Sequence, residues 1–168
     1  MNRRNILGAS AMTVLGLASL TRGAAAQDKS FKQQVVGAWT LGSVYDQTTD
    51  GVKHDVWGPG VQGSLMLSPT GRMSLLLMAG NREKASPNPR SPVGPAIAYF
   101  GSYTVDEGAK TITYHIEAST FPQWNGTERT ATIQSVSADE LQAANALVHD
   151  PEHGDIVPHF VWKRVKPA

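Results

Sequence analysis

Residues 96–129, AIAYFGSYTVDEGAKTITYHIEASTFPQWNGTER, decide the fold. The stretch alternates apolar, aromatic and small residues as far as Val105, breaks at Asp106-Glu107-Gly108-Ala109, and resumes its alternation through Ser119. A period of two interrupted by turn formers predicts two antiparallel strands joined tightly. A third strand is expected after Asn125-Gly126, a pair better read as a type I′ turn than as the glycosylation sequon that Thr127 completes. Tyr99 and Tyr103 fall on one face of the first strand, and Thr113, His115, Glu117 and Ser119 share one face of the second. Phenols and titratable groups are therefore held on rigid neighbouring strands, which is how a pocket acquires chemistry.

Outward from that stretch the chain keeps the same habit. Strands are expected over residues 39–45, over 63–67 and 73–78 around the turn Ser68-Pro69-Thr70-Gly71, over 129–136 and 141–148 around Ser137-Ala138-Asp139-Glu140, and over 157–165. Eight strands in up-and-down order can close on themselves and abolish their edges, so the predicted class is all-β, a single antiparallel barrel. The one helical candidate is a short turn over residues 31–36, where Phe31, Val35 and Val36 can share a face before Gly37. Residues 46–62 are glycine-rich and polar, and residues 79–95 carry four prolines among charges. Both are read as loops, the second either a lid or a plain connector.

The first 26 residues read as an export signal. Arg3-Arg4 precede a short apolar run, and Ala24-Ala25-Ala26 offer a cleavage site before Gln27. The paired arginines resemble a twin-arginine signal, and an ordinary secretory signal leads to the same place, a periplasmic or secreted protein. The run is too polar and too short for a permanent anchor. Its removal leaves residues 27–168 as one domain with twelve basic against fourteen acidic residues, a mildly acidic charge of −2. No basic run interleaved with aromatics exists to track a phosphate backbone, so nucleic acid is not an expected partner. The chain has no cysteine, so a packed core must supply its stability.

Gly37-Ala38-Trp39, after a helical turn and at the head of the first strand, resembles the Gly-x-Trp opening signature of lipocalins. Further pieces follow in order: Thr70-Gly71-Arg72-Met73-Ser74, Tyr99-Phe100-Gly101-Ser102-Tyr103, His115-Ile116-Glu117-Ala118-Ser119, Phe121-Pro122-Gln123-Trp124, and the closing Val161-Trp162-Lys163-Arg164-Val165. Together they resemble the bacterial lipocalin-like domain family, a calycin-type group, over roughly residues 36–165. The resemblance implies a barrel and little about its task. It also implies that Arg164 lies over Trp39 as a cation–π seal on the barrel floor, a structural role.

His115 and Glu117 have two readings. Under the usual rule the apolar set Ile112, Tyr114, Ile116 and Ala118 points inward and the polar pair is solvated. If instead the pair lines the cavity, it can move a proton on a bound molecule, with Tyr99 or Tyr103 steadying the developing charge. Arg129 can balance Glu117 or grip a ligand carboxylate, and Tyr99, Tyr103 and Trp124 suit a pocket wall as well as a core. Met66, Met73 and Met78 offer adaptable wall. The segment from His149 to Asp155, with His159 beyond, is rich in metal-ligand types, but Pro151 and Gly154 make it a hairpin loop, and no metal is expected. Gly58-Pro59-Gly60-Val61-Gln62-Gly63 matches a dinucleotide fingerprint only in letters, since no helix follows.

Two functions remain open on these residues. The first is binding of a small apolar or aromatic molecule in the barrel, with Tyr99, Tyr103, Trp124 and Arg129 around it. The second is a cofactor-independent isomerase, cyclase or lyase that uses His115 and Glu117. No cofactor is expected in either.

Overall fold

The computed structural model describes residues 29–82 and 94–166. Residues 1–26, read above as an export signal, and most of the segment 79–95 lie outside them. Ten strands follow one short helix: α1 (Phe31–Val35), β1 (Gly37–Thr48), β2 (Lys53–His54), β3 (Gln62–Leu67), β4 (Arg72–Met78), β5 (Ala96–Asp106), β6 (Thr111–Ser119), β7 (Glu128–Val136), β8 (Glu140–Asn145), β9 (Val148–Asp150) and β10 (Gly154–Arg164). Neighbours pair antiparallel, and β1 pairs with β10 from Trp39↔Arg164 to Thr48↔Ile156, which closes the sheet. β2 and β9 are short additions, so eight strands make the barrel, in the up-and-down order that the turn spacing predicts.

Alternation decides which side chains fill it. Leu65 and Leu67 on β3, Leu75 and Leu77 on β4, Ile112, Tyr114 and Ile116 on β6, and Leu141 on β8 are buried, while their sequence neighbours are more exposed. Trp39 is fully buried at the α1 end, and Phe160 and Trp162 on β10 stack on each other at 5.7 Å with planes 7° apart. α1 is held by a reciprocal cap, in which Ser30 Oγ accepts from the Gln33 amide and the Gln33 side chain accepts from the Ser30 amide. Its buried Phe31 and Val35 complete that end, and the Trp39 indole donates to the Val35 carbonyl at 2.9 Å. Arg164 lies 3.9 Å over the Trp39 ring.

Several local expectations are corrected. β1 runs on through Asp46 to Thr48, where the polar composition suggested a loop, because β10 and β2 pair with those residues. The strand read over 141–148 stops at Asn145, and Val148–Asp150 pairs instead with the start of β10. Asn125-Gly126 forms a type II turn: Asn125 sits at φ −61°, ψ 129°, Gly126 at φ 75°, and the Thr127 amide donates to the Trp124 carbonyl at 3.1 Å. A 3₁₀ turn at Pro122–Trp124 precedes it, so the β6–β7 connection is longer than a two-residue hairpin.

A bulge matters most for function. Phe100 pairs with Ala118 and Gly101 with Ile116, which leaves Glu117 as the extra residue on β6. A Cβ at Gly101 would run into the His115 carbonyl oxygen, so the close approach that makes the bulge requires glycine there.

Candidate ligand-binding site

A cavity of about 430 Å³ opens at the end of the barrel away from α1 and Trp39. It is built from the strand halves that the core leaves unfilled. Val44 and Asp46 come from the far half of β1, Leu75 and Leu77 from β4, and Ile97 and Tyr99 from the start of β5. Arg129 comes from the start of β7, Asn145 from the end of β8, and Ile156, Pro158 and Phe160 from the start of β10. Val56, Trp57, Pro95, Trp124 and Val148 reach in from the connections. The wall is predominantly apolar, with Asp46 and Arg129 as its charged groups.

Tyr99, Trp124 and Arg129 form one stack. The Arg129 guanidinium lies 4.2 Å from the Trp124 ring centroid, and Tyr99 meets the same ring edge-on at 6.1 Å. Arg129 pairs across the ladder with buried Tyr114, which puts it on the interior face of β7. Glu128 faces the other way. Burial pushes the Tyr99 phenol up to about 12, against the lowering pull of the Arg129 charge, so the hydroxyl stays protonated near neutral pH. No hydrogen bond joins that hydroxyl to another of the described residues.

Across the mouth, Asp46 is 7% exposed. Burial, then the Asp150 charge, raises its carboxyl above the usual aspartate range, while His153 and His54 pull the other way. His54 and His153 rings lie 4.2 Å apart, and His153 Nδ1 is 3.1 Å from Asp150. Asp150 itself is held low by the backbone amides of His153 and Glu152, at 2.8 and 2.9 Å. Sequence reading missed Asp46 because it opens a polar segment. The signal that would have found it is its place two residues after Val44 in an alternating strand.

The other sequence candidates lie elsewhere. Tyr103 is buried but spent: its hydroxyl donates to the Ser68 carbonyl at 2.7 Å, pinning the β3–β4 turn. His115 and Glu117 do not look into the cavity, and that expectation is corrected. His115 lies on the outer face with Nδ1 2.8 Å from Glu128, and Glu117 forms a half-exposed bidentate pair with Arg72. Ser119 does not share their face, because the bulge at Glu117 returns it to the side of its partner Tyr99. An acid–base pair on the outer face has no enclosed space in which to work. In the His149–His159 region, His149 pairs with Asp155 at 2.9 Å and His159 stacks on Tyr45 at 4.9 Å. Among the described residues no three His, Asp or Glu side chains are placed to hold a metal ion.

The profile of the lipocalin-like domain family matches residues 36–165, which span every barrel strand. The chain belongs to the lipocalin-like domain family. For this lipocalin-like chain the solved structures found to be similar include a bovine odorant-binding protein in complex with a selenium-containing odorant. The two are 12% identical over 84% of this chain and 76% of that one, with a TM-score of 0.43. The bovine odorant-binding protein with its natural ligand is 14% identical over the same shares, at 0.42. A redesigned β-barrel is 14% identical over 82% of this chain and 96% of that one, at 0.41. No curated protein matches the lipocalin-like chain by sequence.

Proposed function

We propose that this lipocalin-like barrel binds a small apolar or aromatic molecule in its open end and does so outside the cytoplasm. The observation that carries the reading is the cavity itself. A volume of about 430 Å³ walled by Leu75, Leu77, Ile97 and Phe160, with a few polar tips, is the composition of a small-molecule site. The proposal of export rests on Arg3-Arg4 and the Ala24-Ala25-Ala26 cleavage site in the sequence.

Titration with N-phenyl-1-naphthylamine tests the reading. The neutral dye should brighten on binding and quench the cavity tryptophans Trp57 and Trp124, with saturation at one dye per chain. No brightening at any concentration below the dye's solubility would remove the function. An amino terminus at Gln27 in protein recovered from outside the cytoplasm supports export, and an intact Met1 in a cytoplasmic fraction rejects it.

A further inference from the structure

We propose that the guest is an amphipathic organic anion, a monocarboxylate with an apolar chain or ring, whose carboxylate is held by Arg129 and Tyr99 while its tail lies against Leu75, Leu77 and Phe160. The inference rests on the binding reading above and names its ligand class.

Three observations converge on it. Arg164 donates to three backbone carbonyls, and three basic side chains have acidic partners: Arg72 takes Glu117, Lys163 takes Glu140, and Lys166 reaches Asp139 at 3.4 Å. Arg129 has none among the described residues, although Glu128 is its neighbour in sequence, because Glu128 is turned to the outer face and holds His115. A cation kept beside an apolar cavity without an anion is unfavourable unless the anion arrives with the guest. The guanidinium lies 4.2 Å from the Trp124 ring centroid and makes no hydrogen bond to a described residue, so its N–H donors are left to take a carboxylate through two parallel hydrogen bonds.

Tyr99 adds a second donor. Its ring packs on the same Trp124, its hydroxyl has no partner among the described residues, and burial keeps it protonated. A hydroxyl that must donate and a guanidinium that must pair, both against one indole, suit a carboxylate better than an alcohol or an amine. Asp46 stands on the opposite wall, on β1. A cationic guest would have to draw on Asp46, whose ionisation burial and Asp150 both oppose.

The test is calorimetric titration of the purified protein with octanoate, 1-octanol and octylamine, which share a tail and differ in the head. Octanoate should bind about tenfold or more tighter than 1-octanol, and octylamine most weakly. Arg129→Gln should bring octanoate to within about twofold of 1-octanol, and Arg129→Lys should fall between. Wild-type protein that binds 1-octanol or octylamine as well as octanoate overturns the anion inference and leaves the cavity reading standing. Protein that binds none of the three, nor the neutral dye, overturns both. The wild-type comparison decides the matter even if the Arg129 variants do not fold.

Discussion

Arg164 spans the floor of the barrel above Trp39: its guanidinium sits 3.9 Å from the indole centroid while Nε, Nη1 and Nη2 donate to the carbonyls of Ala138, Val36 and Gln34 at 2.6, 2.8 and 2.6 Å. One side chain thus ties β10 to the β7–β8 turn and to the end of α1, and satisfies two carbonyls at the helix exit. Arg164→Ala should cost about 2–4 kcal/mol, the scale of a desolvated cation–π contact and charged hydrogen bonds that do not add fully. Arg164→Lys should recover less than half of that, since an ammonium cannot reach three carbonyls in one plane. Urea unfolding midpoints at constant m-value measure both. A loss within error of zero for the alanine variant would show the seal to be ornamental.

Gly101→Ala tests the bulge. The added methyl would overlap the His115 carbonyl oxygen, and backbone cannot swing aside as a flexible side chain can. The expected loss is about 1–3 kcal/mol or more, read as a lowered melting temperature. A variant as stable as wild type would mean that β5 and β6 can separate at no cost.

That bulge also explains what could and could not be read from the sequence. The barrel was legible because Ile112, Tyr114 and Ile116, like Leu65 and Leu67, repeat with the pleat and turn formers interrupt the repeat. The assignment of Ser119 to the face of Glu117 failed because an extra residue resets the alternation, and its only mark in the sequence is a glycine, Gly101, inside a neighbouring strand. Asp46 was hidden for the opposite reason. Its composition suggested a loop, while pairing with Pro158 and His54 extends the strand and turns it inward. The barrel partner Pro158 lies more than a hundred residues away, and local pattern does not carry that pairing.

His115→Ala and Glu117→Gln should leave dye binding unchanged. Their partners Glu128 and Arg72 lie with them on the outer face, and exposed pairs of this kind contribute little to stability. Glu117 is held below the ordinary glutamate range chiefly by its hydrogen bonds to Arg72, so whatever the pair contributes is present above the unfolded value and fades as pH falls through the folded one. Weakened dye binding in either variant would put the outer face back into the site.

Asp46 should make stability fall as pH rises. Its folded carboxyl is raised by burial, so the native state holds its proton to higher pH than the unfolded chain does. The favourable balance is complete below the unfolded value, near about pH 4, and is lost as pH climbs through the folded value. Asp46→Asn keeps the shape and removes the ionisation. The variant should match wild type at the acid end and exceed it at pH 7 in urea midpoint. A difference independent of pH would assign the effect to hydrogen bonding and not to charge.

Two tyrosines four residues apart on β5 should respond oppositely to loss of their hydroxyls. Tyr103 donates to the Ser68 carbonyl at 2.7 Å from a buried position, so Tyr103→Phe removes one of the two hydrogen bonds that this carbonyl accepts at the β3–β4 turn, the other coming from the Gly71 amide at 3.0 Å. The expected cost is about 0.5–1.5 kcal/mol, with ligand binding unchanged. Tyr99 has a hydroxyl that bonds to none of the described residues, so Tyr99→Phe removes a polar group without breaking any pair among them. Its stability should hold, since no hydrogen bond to a described residue is lost. Octanoate affinity should nevertheless drop about threefold to tenfold, while 1-octanol affinity stays within about twofold, because only an anionic head needs the second donor. Urea melts and the same calorimetric titrations separate the two outcomes. If Tyr99→Phe destabilises the barrel as much as Tyr103→Phe does, the Tyr99 hydroxyl already has a partner inside the protein and is not available to a guest.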